Sequence, residues 1–163
     1  MFNNQNNLKM KNPSKSYFIA IAMIMALSFI PGCGDNDDPE LSAKDKQTEL
    51  LAKKWSIKTD VNSVTLNGDD DTDNWPGFTV TFNSNGTYAA SNISKERLNT
   101  VWSTSGTWSF KSDTNLNTIV RNDGVEINIS VDEANLSMSF NYSKSNGRIA
   151  GIEGEWMFDM MVN

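Results

Sequence analysis

From Trp55 onward the side chains alternate between apolar and polar almost to the C-terminus, and turn residues break the alternation at short intervals. A period of two is that of a half-buried strand, and brief returns join only antiparallel neighbours. The first strand opens with Trp55, Ile57 and Thr59, and the parity then shifts to Val64 and Leu66, which predicts a bulge or bend near Asn62. Phe78, Val80 and Phe82 share a face of the second strand. Asn83-Ser84-Asn85-Gly86 turns it into a third with Tyr88 and Ala90. Residues 102–110 continue with Gly106, Trp108 and Phe110 on one parity, and 117–121 form a shorter strand ended by Asn122-Asp123-Gly124. Val125, Ile127, Ile129 and Val131 follow. After the Asp132-Glu133-Ala134-Asn135 turn come Leu136, Met138, Phe140 and Tyr142. Beyond Ser145-Asn146-Gly147, the last strand sets Ile152, Gly154, Trp156, Phe158 and Met160 on one side.

About eight strands, each joined to the next by a short loop, make a meander. A meander with one apolar face must pack on a second sheet or curl until its own edges pair, and closure removes the exposed edges. A sandwich needs long crossing connections, and only 67–75 and 93–99 are long enough to supply them. The expected fold is therefore all-β, an eight-stranded antiparallel up-and-down β-barrel. Ahead of it, residues 41–54 lack Gly and Pro, and Ser42 with Asp45 three residues on has the form of a helix N-cap. One short N-terminal helix follows, too poor in apolar residues to organise a core but suited to closing one end.

The preceding segment has a different character. Lys9, Lys11 and Lys15 stand before an apolar run at 17–30, the layout of a secretory signal. A run of 14 residues falls short of the ~20 that a membrane-crossing helix needs. Ile30-Pro31-Gly32-Cys33 resembles the lipobox of bacterial lipoproteins, with an aliphatic residue three before the cysteine and a small one just before it. That resemblance implies cleavage before Cys33 and attachment of acyl chains such as palmitate to it. The expected organisation is a signal peptide over 1–32, an acidic tether over 33–40 and a barrel domain over 41–163. Several acyl chains together give durable anchoring where one alone does not. The expected location is the outer membrane, lipid-anchored. Gly34-Asp35-Asn36-Asp37-Asp38-Pro39-Glu40 resembles the signal that sends some Gram-negative lipoproteins to the cell surface, and it reads equally as a solvated linker.

Cys33 is the only cysteine, so no internal disulfide can form and the core must hold by packing. Cleavage would remove three of the 14 basic residues and none of the 20 acidic ones, leaving a net charge of about −9. Such a charge repels phosphate backbones, and nucleic acid is not an expected partner. The expected state is a monomer.

Three segments, Leu50-Leu51-Ala52-Lys53-Lys54-Trp55, Phe82-Asn83-Ser84-Asn85-Gly86-Thr87-Tyr88 and Gly106-Thr107-Trp108-Ser109-Phe110, resemble the lipocalin-like domains of lipoproteins from Gram-negative bacteria. The resemblance spans most of 41–162. It implies an up-and-down barrel closed at one end by the helix and open at the other, with a cavity for a small apolar or amphipathic molecule. Trp55 is similar to the tryptophan that opens the first lipocalin strand, although Lys53 stands where a glycine is usual.

Familiar catalytic constellations are excluded by composition. The chain has no histidine, and its one cysteine is assigned to lipid, so neither a Ser/His nor a Cys/His pair can be built. A non-enzymatic role is expected. Glu153 and Glu155 lie two apart, a spacing shared by acid/base pairs and, more commonly, by solvated outer-face residues. A metal could use only oxygen ligands. Asp69, Asp71 and Asp73 have the spacing of the first three ligands of a calcium loop, but position six is Asn74 and position twelve Val80, and no other cofactor is expected. If the barrel has a cavity, its candidate lining is Trp75, Tyr88, Trp108, Phe140 and Trp156. Trp108 and Trp156 alternate with apolar neighbours as core residues do. Trp75, in a polar loop, either rims a binding mouth or folds back over the barrel. The candidate inward rings could also fill an eight-stranded interior by themselves. The alternative is a filled barrel that meets a protein or glycan through loops 67–77 and 93–99.

Overall fold

The computed structural model describes residues 40–143 and 151–163, within the compact unit Glu40–Asn163. Cys33, the signal segment, residues 33–39 of the tether and the Ser145-Asn146-Gly147 turn lie outside the described residues.

Among the described residues, one α-helix and ten strand segments build a closed antiparallel barrel. Helix α1 (Ala43–Leu51) starts at Ser42, whose hydroxyl accepts the Asp45 backbone N–H at 3.1 Å and donates to the Asp45 carboxylate at 2.6 Å. Only Leu51 of the helix is buried, and the Trp55 indole N–H donates to the Leu51 carbonyl at 2.9 Å, fastening the helix to the first strand. Lys44 and Lys53 reach Asp113 and Glu133, in two different hairpins, at 2.9 and 2.6 Å. These exposed pairs each contribute about 0–1 kcal/mol, so they orient the helix more than they hold it.

The segments are β1 (Lys54–Ile57), β2 (Val64–Leu66), β3 (Asp69–Asp70), β4 (Thr79–Phe82) and β5 (Thr87–Ser91). They continue as β6 (Ser105–Ser112), β7 (Asn115–Arg121), β8 (Glu126–Val131), β9 (Asn135–Tyr142) and β10 (Gly154–Val162). From β4 to β10 each strand pairs with the next, and β1 pairs with both β4 and β10, closing the ring. Eight positions are filled because β3 pairs only with β2, outside the ring, and β1 and β2 share one position: Ile57 faces Met160 and Val64 faces Phe158, both across β10. Seven steps along the first chain therefore match two along β10, and the excess forms an outward loop at 58–63. Asn62 turns it with φ 64, so the expected parity break is a whole loop between two halves of one strand. Asn62, with its short polar side chain, tolerates this left-handed conformation better than most residues.

The barrel has two unlike ends. The 83–86, 113–114 and 132–134 hairpins lie at the helix end. The other end is where residues 67–78, 92–104 and 122–124 connect their strands. Residues 102–104 are not part of β6, contrary to the strand expected from Trp102. A 3-10 turn at Glu96–Thr100 precedes them and brings Val101 and Trp102 out of the sheet and into the interior.

Candidate functional site

In a barrel of this size, a ligand would enter the interior by the end away from the helix. Loop residues close that end. Trp75, Leu98, Val101, Trp102 and Ile152 come from three different connections, and each is fully buried. The first two connections are joined directly. The Asn92 side-chain amide donates to Gly77 O at 2.8 Å, the Ser94 hydroxyl to Asn74 O at 2.6 Å, and Lys95 bonds the Asn74 side chain.

Trp102 occupies the centre. Its ring lies 5.9 Å from Phe78, 6.0 Å from Tyr88, 5.8 Å from Phe140 and 5.9 Å from Phe158, centroid to centroid. Tyr88, Phe140 and Phe158 stand on β5, β9 and β10 and Phe78 just ahead of β4, two pairs of neighbouring strands with β1 between them, so one indole packs along that arc of the ring. Trp75 adds edge-on contacts to Phe78, Trp156 and Phe158 at 5.1, 5.6 and 4.9 Å. Toward the helix end, Trp108 meets Phe82 at 5.8 Å and Phe110 at 5.3 Å. An interior wide enough for packed side chains is thus occupied by rings in mutual contact.

The five residues expected to line a cavity are therefore part of the packed interior. Trp75 and Trp156 are fully buried, Tyr88, Phe140 and Trp108 nearly so. Trp75 folds back over the barrel, which decides between its two readings. It is held there by Asp71, which accepts its indole N–H at 3.0 Å.

The same contact bears on the acidic loop. Asp71 takes Trp75 with one oxygen and the Asn74 amide with the other. Asp70 accepts the Thr72 hydroxyl at 2.6 Å and the backbone N–H groups of Thr72 and Asn62 at 3.1 Å, and the hydroxyl first among them holds its carboxyl below the usual range. These bonds are those of carboxylates closing turns. Among the described residues no three acidic, thiol or imidazole groups gather as a metal would require, so the structure does not bring Asp69, Asp71 and Asp73 together as a site. Glu155 lies on the outer face of β10, and the half-buried Glu153 precedes that strand.

Among the described residues, one charged side chain, Arg121, is enclosed in the interior. Arg121 ends β7 on the inward parity of Ile119, and its side chain is fully buried. Its guanidinium lies 4.8 Å from the Trp102 ring centroid and 5.9 Å from that of Phe140. It donates to Val101 O at 3.0 Å and forms a two-pronged pair with Asp123. Burial works to raise the Asp123 pKa, but the bonds from Arg121 outweigh it and hold the carboxyl low. Burial pushes the Tyr88 phenol up. The Trp102 indole N–H is the one fully enclosed side-chain donor without a partner among the described residues. Trp102 and Arg121 differ in what their local sequence shows. Arg121 was legible as a lone charge on an apolar parity, whereas Trp102 imitates the start of a strand.

Concave surfaces occur on the outside. Two flank α1, one along Leu41, Asp45 and Ala52 and one between Lys46, Leu50 and Glu133. Two more adjoin the β7–β8 turn and share Asp123, Val125 and Ser143. Among the described residues no helix is long and apolar enough to cross a membrane. No known protein family, curated protein or solved structure matches the chain.

Proposed function

We propose that this chain is a lipocalin-like lipoprotein, anchored by acyl chains on Cys33 to the outer membrane, whose barrel is a filled scaffold for contacts made on its outside. The role is non-enzymatic, and the partner is a protein or glycan. One observation carries the reading: Trp102, delivered by a loop, touches rings of the β9, β10, β4 and β5 side of the barrel and, across the interior, the Arg121 guanidinium of β7. An apolar molecule entering the interior would have to displace that indole and the guanidinium stacked on it. Loss of one such buried ring costs about 3–5 kcal/mol. That cost would come out of the binding free energy of any ligand, which disfavours the cavity that lipocalin resemblance alone implies. Rigidity suits a scaffold, because outer loops fixed to a packed core lose little entropy on binding.

The test is a fluorescence titration of the full chain in detergent with palmitate, retinol and haem. The expected result is no saturable change in tryptophan emission, and stoichiometric quenching by any of the three would overturn the filled-scaffold reading. Metabolic labelling with radioactive palmitate should mark the wild type and not Cys33→Ala.

A further inference from the structure

We propose that the open grooves on either side of the β7–β8 turn form one binding site for a neutral carbohydrate. The proposal rests on the exterior-contact reading above and names the partner class. The grooves measure about 380 and about 350 Å³. They meet at Asp123, Val125 and Ser143, so a ligand of more than one ring could lie across both.

The lining determines the chemistry. Asn99, Asn128, Asn141, Ser103, Ser143 and Asp123 line this space, with the Asn128 oxygen also accepting the Thr118 hydroxyl at 3.2 Å and Ser103 also bonded to Tyr88. A sugar hydroxyl both donates and accepts. Amides and hydroxyls answer both needs at once, and a carboxylate accepts. Tyr142, nine-tenths buried, and Val125 add a small apolar surface of the kind a sugar ring's C–H face can cover.

Other ligand classes fit less well. An anion would meet Asp123 and Glu126, of which Glu126 is paired with Lys111 at 2.7 Å, while Arg121 lies behind the surface, fully enclosed. An apolar molecule would find mainly polar atoms. A metal ion lacks a third close carboxylate among the described residues.

Asp123 sets the site apart from ordinary polar surface. Both its oxygens are fixed by Arg121, and one also accepts the Val125 backbone N–H at 3.2 Å. A buried cation thus holds a partly exposed carboxylate ionised and in a single orientation at the junction of the grooves, which is the preorganisation that polar recognition needs.

The experiment is calorimetric titration of the detergent-solubilised full chain with neutral gluco-, xylo-, manno- and galacto-oligosaccharides, and with oligogalacturonate and chondroitin fragments as charged counterparts. Saturable binding of at least one neutral oligosaccharide is expected. Asn128→Ala and Asn141→Ala should each weaken it about fivefold or more, as loss of a hydrogen bond does. Ser130→Ala, on the same strand as Asn128 but outside the groove, should leave it unchanged. Absence of heat with every neutral oligosaccharide at millimolar concentration, binding of charged fragments alone, or binding indifferent to both asparagine variants would overturn the proposal. None of these results touches the filled interior, which the fatty-acid, retinol and haem titration decides separately.

Discussion

The Arg121 guanidinium lies 4.8 Å from the centre of the Trp102 ring, and both side chains are fully enclosed. A buried cation is tolerated only where hydrogen bonds and a counter-charge replace water, and here Val101 O and Asp123 supply both. Cation and indole thereby fasten a loop, a strand and a turn together at the end of the barrel away from the helix.

Removing the cation should therefore be costly. Arg121→Ala would leave Val101 O and the Asp123 carboxylate unpaired and open a void beside Trp102. The expected loss is about 3–5 kcal/mol in urea denaturation. Arg121→Met, which keeps the bulk but not the bonds, should lose less. Equal losses for the two would show that the lost bonds, and not the void, account for the whole cost.

The pair also gives stability a pH dependence. Asp123 titrates below its ordinary value in the folded chain, so its contribution is complete above the unfolded carboxyl pKa of about 3.9 and disappears as pH falls through the lower folded value. Asp70, Asp113 and Asp132 are lowered as well, and they share this acid slope. Urea midpoints measured from neutral pH into the acid range should fall below about pH 4, and Asp123→Asn should show a shallower fall. An unchanged slope in that variant would remove Asp123 from the account.

Trp102→Ala should cost about 3–5 kcal/mol and leave a cavity in the barrel bordered by the rings of Phe78, Tyr88, Phe140 and Phe158, with the Arg121 guanidinium in one wall. A cavity bordered mainly by rings can take up small aromatic molecules. Benzene or indole should raise the melting temperature of this variant and not of the wild type. No ligand-dependent shift in the variant would mean that neighbouring rings collapse into the space.

Gly106 is required for close approach. A Cβ there would stand 2.6 Å from the Tyr88 ring and 2.3 Å from the Asn122 side-chain oxygen, which itself accepts the Thr107 N–H at 3.1 Å. Gly106→Ala should destabilise by about 1–3 kcal/mol. Combined with Tyr88→Leu, the loss should be smaller than the sum of the single losses. Strict additivity would place the strain elsewhere.

Asp71 has the opposite role to a calcium ligand. Asp71→Ala would strip the acceptor from the buried Trp75 indole N–H, at a cost of about 1–3 kcal/mol, with a weaker near-ultraviolet circular dichroism signal from Trp75. Asp71→Asn, which keeps an acceptor oxygen, should retain most of both.

The barrel was legible in the residues because strand period, parity and turn chemistry are local. Tyr88, Phe140 and Trp156 point inward as alternation requires, the Asn83-Ser84-Asn85-Gly86 hairpin forms between β4 and β5, and the parity break near Asn62 is real. The candidate site was less legible. Asp69, Asp71 and Asp73 share a spacing with calcium ligands, yet hydrogen bonding over a few residues assigns Asp70 and Asp71 to turns. Nor did any local pattern announce that Asn128 and Asn141, on different strands, would border one groove with Asp123.

What the sequence determined by itself is the alternation that makes a single closed sheet with a short helix at one end, since each side chain's face follows from its position along a strand. Only the tertiary structure decided what fills that sheet. Trp75 and Trp102 belong to connections with no period to read, and their burial depends on space left by residues far away in the chain. Packing density in the interior is a property of all the strands together, so it emerges only once they have met.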